Sequence, residues 1–462
     1  MTTCNHCSGF TRSQLLRQGV AQAGSGIRAI EPGMPAPAGT GLTRRTLITR
    51  GAAGALAVYG AQRIGLDQLR EGIAAAATGT PNRTLVSVFL PGGLDSLSLL
   101  APVGDPNYAA LRPTLALPAG AGPAFSEDDR LMWAPQASGL STLHGEGKVS
   151  VIPAVGYDHP DQSHFVSRHF WEVGALDAGL RTGWLGRVLD HLGSDDNPLQ
   201  GLSIGDSLAP SLATSRVPVA AVDAPEDFGF WMPGAWGPPA DLAGHAFAGA
   251  GRALMGSRDG AVAAAARAAA FAGGVRDAVR PLGVDGKPTY RPLATYPKSS
   301  DDPFPRRLAG LAAMLGAGLP IRAAAVAGPG VYDTHANQAQ TLPVNLKLAC
   351  DGLLAFQRDL EAHGIADRVL TLVWSEFGRR AQENGSGTDH GAAGIGFLIG
   401  TRTAGRMIGE FPGLGRLDPD GNLRATSDFR GLYASLAADW FGVDPAAVLP
   451  GVAGLARPAV LR

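Results

Sequence analysis

The chain has 462 residues, of which 45% are hydrophobic and only 17% charged. That length holds one large domain or two ordinary ones, and the apolar fraction supports a sizeable core. Acids (40) and bases (39) nearly cancel, which argues against nucleic acid or a polybasic membrane surface as partner, and beyond residue 80 no apolar run is long enough for a stable membrane span.

Near the start, Cys4 and Cys7 flank Asn5 and His6 in a C-x-x-C spacing, half of a zinc site or a redox pair, with no second pair to complete it. Arg44 and Arg45 precede a short Gly/Ala-rich apolar stretch from Gly51 to Ala61. This reads as a twin-arginine export signal, with small residues after Ile73 where a peptidase can cut. The alternative is a basic amphipathic N-terminal helix that is kept. Export makes the twin-arginine machinery a partner and places the protein in the periplasm, at the cell surface or outside the cell. Residues 1–80 are then removed, Cys350 is left alone, and no intramolecular disulfide forms. The route carries folded proteins, which suits a chain that takes up a metal before export.

From Arg83 onward, strands end in polar loops. RTLVSVFLPGGLDS is an apolar, β-branched run closed by Pro-Gly-Gly, with Asp95 and Ser96 just past the turn. A strand over Val149–Val155 leads to Ser163 and His164, and one over Ile321–Ala327 leads to Asp333, His335 and Asn337. DRVLTLVW runs into Ser375, Glu376 and Arg379, and GIGFLIG follows Asp389 and His390. Between them, SHFVSRHFWEVGAL and NLKLACDGLLAFQRDLEAHG have apolar residues at helical spacing. Strands alternating with helices predict a mostly parallel sheet covered on both faces, with ligands beyond the carboxyl ends of its strands. Residues 225–300, rich in Pro, Gly, Trp and Ala, read as an insertion or cap on a domain spanning 81–462.

Carboxylates and imidazoles gathered at strand ends suit Zn²⁺, Mn²⁺ or Fe, and oxygen-only sets suit Ca²⁺ or Mg²⁺. In an extended segment Asp333 and His335 face one side. The glycines at 385, 387 and 391 would let a loop turn the neighbours Asp389 and His390 toward one ion or two adjacent ions. Each pair alone is equally compatible with a surface hydrogen bond or a cap. Ser163, where HPDQSHF turns into a helix, is the nucleophile candidate, since helix N–H groups and a metal both favour an alkoxide; it is also a natural cap. Arg168, Arg379 and Arg380 are candidates to clamp an oxyanion, or are surface ion pairs.

FLPGGLDSLSLLAPVGDPNYAALRPTLAL, SHFVSRHFWEVG…GWLGR, YDTHANQ, SEFGRR and GTDHG, in this order, resemble the bacterial domain-of-unknown-function family 1501 over nearly all of the chain after the signal. That family is similar in plan to the alkaline phosphatase and sulfatase superfamily. The resemblance implies a three-layer α/β/α sandwich, alkaline phosphatase-like, with one or two divalent metal ions (Zn, Mn or Ca). It implies metal ligands at Asp95, Asp333, His335, Asp389 and His390; Ser163 is mapped here onto the superfamily's nucleophile, and Ser163, His164 and Arg379 are the catalytic candidates. The function it implies is an exported metal-dependent hydrolase of phosphate or sulfate esters on small molecules or polymers. The alternative is an inactive exported binding or assembly protein on the same fold. The chain departs from the superfamily in having no His after His390, with Asn337, His164 or Glu376 as possible substitutes, and in the short Asp333–His335 spacing. It lacks the C-x-P-S-R pattern of a formylglycine sulfatase.

Overall fold

The computed structural model describes residues 58–59, 83–195, 197–225, 238–282 and 291–462. The twin-arginine region, Cys4 and Cys7, and residues 226–237 of the segment read as an insertion lie outside the described residues. Two compact units are present. One draws on Asp177–Pro292 and Ala309–Val326, the other on Leu85–Leu176, Leu293–Leu308 and Ala327–Arg462.

The second unit holds every predicted site residue. Its strands β1 (Thr84–Phe89, beginning at the unit boundary) and β2 (Val149–Gly156) are buried along their length. Helix α1 (His164–Val173) follows the loop after β2. Helix α2 (Gln338–Ala362) leads to β3 (Val369–Trp374), and a ribbon of β4 (Arg379–Glu383) and β5 (Thr388–His390) precedes β6 (Gly394–Ile399). Strand β7 (Ser427–Asp428) runs into helix α3 (Phe429–Ser435). The sheet order is β1-β3-β6-β2-β7. Strand β7 is parallel to β2, while β6 runs antiparallel to both β2 and β3, with Phe397 opposite Val151 and Val373.

Burial on both faces explains why β1, β3 and β6 are near-continuous apolar runs rather than alternating ones. The core between sheet and helices is aromatic. Trp171 of α1 stacks on Trp374 with centroids 5.4 Å apart and on Phe429 at 4.4 Å, and Phe89 lies 4.5 Å from Trp374. Cys350 is a free, buried thiol.

The first unit carries four strands among the described residues, Val58–Tyr59, Val219–Ala221, Gly201–Ile204 and Ala323–Ala327; Val58–Tyr59 is antiparallel to Val219–Ala221, and Gly201–Ile204 is parallel to both Val219–Ala221 and Ala323–Ala327. It also contains the helices Pro238–Leu254 and Gly260–Val279, which make up most of the described part of the segment read as an insertion. The mostly parallel α/β organisation expected from the sequence is what the structure has. No described helix is long and apolar enough to cross a membrane.

Candidate metal centre

The Pro-Gly-Gly turn after β1 builds the floor of the site. Gly92 has φ +109°, and a Cβ there would lie 2.5 Å from the Asp333 amide nitrogen, so only glycine fits. The turn aims two amides at the buried Glu376 carboxylate just past β3: Gly92 N–H donates to Oε1 at 2.9 Å and Gly93 N–H to Oε2 at 3.1 Å. The Ser375 hydroxyl lies 3.0 Å from Oε2. Glu376 Oε1 accepts from His164 Nδ1 at 2.7 Å. His164 is the first residue of α1, which starts here because Ser163 caps it: the Ser163 hydroxyl accepts from Phe165 N–H at 3.3 Å.

Two more imidazoles are held the same way. His390 Nδ1 donates to the Gln162 carbonyl at 2.8 Å, and His335 Nδ1 to Asp389 Oδ1 at 3.0 Å. A carbonyl or an ionised carboxylate can only accept, so each Nδ1 carries its proton. The three Nε2 atoms then face one carboxylate oxygen, Asp333 Oδ1, at 3.1 Å from His335, 3.3 Å from His390 and 3.5 Å from His164. The His335 Nε2 contact is not aligned as a hydrogen bond. His164, Asp333 and His390 offer ligand atoms all within 4.8 Å of one another.

In the neutral rings, three lone pairs point at an anionic oxygen. That arrangement is stable only with a cation at the meeting point, whether a proton on an imidazole or a metal ion. The electrostatics agree. Burial raises the Asp333 carboxyl, but the close approach of His164, His335 and His390 and the charge of Arg379 outweigh it and hold the group far below the usual carboxylate range. Burial depresses His164, yet its bonds to Asp333 and Glu376 leave it raised. His390 stays lowered, by burial first and then by the charges of His164 and Arg379, despite its bond to Asp333. Burial raises Glu376, and its bonds from His164 and the Gly92 amide reverse the shift.

The other predicted residues have different surroundings. Asp95 is fully buried and bound by Arg112 through both oxygens, Nη2 to Oδ1 at 2.9 Å and Nη1 to Oδ2 at 2.5 Å, and it also accepts from Ser98 at 2.6 Å and from Gln338. Burial raises its carboxyl, and Arg112 more than compensates. No described contact joins it to the imidazoles. Arg379 is wholly buried, and its guanidinium is spent on the carbonyls of Gly92, Gly93, Tyr332 and Thr388 and on Asp333. It acts as a strut under the site rather than as an open clamp. Asp389 and His390 lie in strand β5, not in a loop, with His390 paired to Arg379. Neighbours in a strand point to opposite faces, so His390 turns in to Asp333 while Asp389, 51% exposed, holds His335 from outside. The glycines matter for close approach instead: a Cβ at Gly387 would lie 2.1 Å from the Thr334 carbonyl and one at Gly391 2.5 Å from the Arg379 backbone. The Gln162 carbonyl, Asn384 (which donates to Asp389 at 2.9 Å) and Arg112 were not singled out from sequence, although Arg112 falls within the long ALRPT-containing motif.

Residues 294–452 match the model of the family described as "Protein of unknown function (DUF1501)". YDTHANQ, SEFGRR and GTDHG all fall inside that segment, and the resemblance they carry is borne out there. No curated protein matches the chain. Among solved structures, it is similar to a protein in the alkaline phosphatase superfamily from Vibrio parahaemolyticus, at 11% identity and a TM-score of 0.32 over 86% of this chain and 80% of that one. It is similar to the C-terminal periplasmic domain of EcEptC from Escherichia coli, solved in complex with Zn, at 11% identity and a TM-score of 0.35 over 80% of this chain and 87% of that one. It is also similar to the PsFucS1 sulfatase from Pseudoalteromonas sp., at 11% identity and a TM-score of 0.33 over 94% of this chain and 80% of that one.

Proposed function

We propose that the chain is a metal-dependent hydrolase of phosphate or sulfate esters, exported by the twin-arginine route to the periplasm, cell surface or exterior. One observation carries this reading: three imidazole nitrogens, each fixed by an acceptor on its other nitrogen, meet at one carboxylate oxygen. Metal-bound histidines have this outer bond as a rule.

His164, Asp333, His335 and His390 would hold the ion. Three nitrogens and one oxygen favour Zn²⁺, Mn²⁺ or Fe over Ca²⁺. One ion fits better than two, because Asp95, Glu376 and Asp389 are engaged with Arg112, His164 and His335. A divalent ion there supplies Lewis acidity and a lowered pKa for bound water. The chain's own residues set the stage: Glu376, Asp389 and the Gln162 carbonyl keep the protons on Nδ1, and Arg379 keeps Asp333 ionised. Ser163 lies in sequence between two residues that contact the site, and it is the nucleophile candidate on this reading. Its hydroxyl serves as the α1 cap, and this favours the second reading, a binding protein of the same fold without turnover.

The test is elemental mass spectrometry on purified protein, wild type beside His164→Ala/His390→Ala, followed by ester screening. Near-stoichiometric metal lost in the double variant, with ester turnover, supports the hydrolase. Metal without turnover supports the binding protein. A wild type that stays metal-free after incubation with Zn²⁺ and Mn²⁺ sinks both forms of the metal centre.

A further inference from the structure

The ribbon that carries His390 specifies its own register weakly. Strand β5 has three residues, and it pairs with β4 at Arg379–His390 and Glu383–Thr388 with an irregularity between the two pairs. Register matters here because side chains alternate along a strand. A slip of one residue would turn Asp389 in toward Asp333 and His390 out. A group outside the ribbon is needed to hold it.

Gln338, the first residue of α2, is placed to do this. Its amide oxygen accepts from the Thr388 hydroxyl at 2.7 Å and from the Thr334 hydroxyl at 2.9 Å. Its amide nitrogen donates to Asp95 Oδ2, and its backbone N–H donates to the Ser386 carbonyl at 2.9 Å. Thr334 stands between Asp333 and His335, and Thr388 shares a face of β5 with His390. Thr388 N–H also donates to the Thr334 carbonyl at 3.0 Å. All three side chains are buried. The ionised Asp95 takes the amide nitrogen, which leaves the amide oxygen for the two hydroxyls. A carboxylate in place of the amide would face Asp95, and an apolar side chain would leave buried hydroxyls without an acceptor. Asn384 ties the same two segments at the exposed edge, donating to the His335 carbonyl at 3.1 Å and to Asp389 at 2.9 Å, so Gln338 is the buried half of the clamp.

We propose that Gln338 is a positioning residue that locks the Asp333–His335 segment and β5 in the register where His335 and His390 meet at Asp333. The inference rests on reading that cluster as a metal centre, and it names the side chain that keeps two of its imidazoles in place without touching either.

The experiment compares wild type, Gln338→Met, Thr334→Val/Thr388→Val and the triple variant. Zinc affinity is measured by chelator competition, and the visible spectrum is recorded on protein loaded with Co²⁺. Circular dichroism and melting temperature are measured beside them. Gln338→Met should lower zinc affinity about tenfold in protein that remains folded, the low end for an outer-shell loss, and should shift the cobalt bands. The valine pair should act in the same direction. The triple variant should be no weaker than Gln338→Met, because all three changes break one clamp. A lower melting temperature with zinc affinity and cobalt spectrum as in wild type assigns Gln338 to stability alone and overturns the proposal, as do additive losses in the triple variant. If Gln338→Met does not fold, Thr388→Val alone, which removes one bond, carries the same comparison. Failure of the metal reading is visible separately, as a wild type that binds neither ion. Gln338 is then judged on the ring ¹H–¹⁵N signals of metal-free, histidine-labelled protein. Those of His335 and His390 should move in Gln338→Met while that of His144, bound to Glu127, stays. Unmoved His335 and His390 signals overturn the assignment.

Discussion

Glu376 Oε1 lies 2.7 Å from Nδ1 of His164, and that bond decides which nitrogen of the ring is turned toward Asp333. The carboxylate is itself held by the Gly92 and Gly93 amides, so the orientation of a residue at the start of α1 is set by a turn after β1 and by the end of β3.

Replacing Glu376 with Gln tests this arrangement. The amide cannot accept from His164 and from both glycine amides at once, because one of its two ends is a donor. Loss of an outer-shell partner of this kind costs about 10–100-fold in metal affinity. Glu376→Gln should therefore need about 10–100-fold more Zn²⁺ for half-loading in a chelator competition, with the circular dichroism of the fold retained. Unchanged affinity would mean that His164 is not a ligand or does not need Glu376 to orient it.

The Asp95–Arg112 pair should behave as a structural element. Both side chains are fully buried, and Arg112 also ties down the carbonyls of Arg380 and Ala381. Removing one partner leaves a buried charge without its counter-ion, at a cost of about 3–5 kcal/mol. Arg112→Ala should lower the urea midpoint accordingly, whereas the apolar double replacement Asp95→Leu/Arg112→Met should recover much of the loss. Zinc lost in proportion to unfolding alone, and none lost from the folded fraction, would separate this support role from that of a ligand.

The elements of this fold were legible because their signals are local. VSVIPAV and VLTLVW are apolar, β-branched runs of strand length, each followed by polar residues, and they form β2 and β3. Asp333, His335 and His390 were recognisable as ligand types at strand ends. His164 was legible as a site residue and as one of three possible substitutes for the missing histidine, but nothing local chose it over Asn337 or Glu376, because its partners Asp333 and Glu376 are far away in sequence and only the folded sheet edge brings them together. Asp389 was misjudged in geometry for a related reason. Three glycines in seven residues suggest a pliable loop, whereas the chain uses two of them for close backbone approach beside a short ribbon, and strand alternation then separates Asp389 from His390. Arg112 and Arg379 could not be told from surface arginines, since burial of an arginine follows from what surrounds it and not from its own neighbours in sequence.

Acid stability should depend in part on Glu146. Its carboxylate accepts from Arg358 and, at 2.8 Å, from Lys148, and these bonds, Arg358 first, lower its pKa from 4.5 to about 2. The folded value lies below the unfolded one, so the ionised form favours the fold. The contribution is fully present above about pH 4.5 and is lost as the pH falls toward about 2. The side chain is a third exposed, and solvent screening limits its worth to at most about 1 kcal/mol. Urea unfolding of wild type and Glu146→Gln should differ at neutral pH and converge as the pH is lowered through that window. A difference that stays constant with pH would assign the effect to packing instead.

Cys350 should be silent in the native protein. The reactive form of cysteine is the thiolate, and burial pushes the Cys350 thiol up to about 12. Access is closed as well: the side chain is 1% exposed, and the helix Ser138–Gly145 packs so tightly over α2 that a Cβ at Gly139 would lie 2.5 Å from the Cys350 carbonyl. In a Cys4→Ser/Cys7→Ser variant, an aromatic disulfide reagent should give no reaction under native conditions and complete reaction in guanidinium chloride. Slow native labelling would report a local opening of α2 against that helix, and its rate would measure how often the opening occurs. The start of α2 follows Asn337, two residues past His335, and Gln338 binds both Asp95 and Thr388. Zinc that slowed the labelling would therefore link the stability of α2 to the candidate centre, and labelling indifferent to zinc would show the two to be independent.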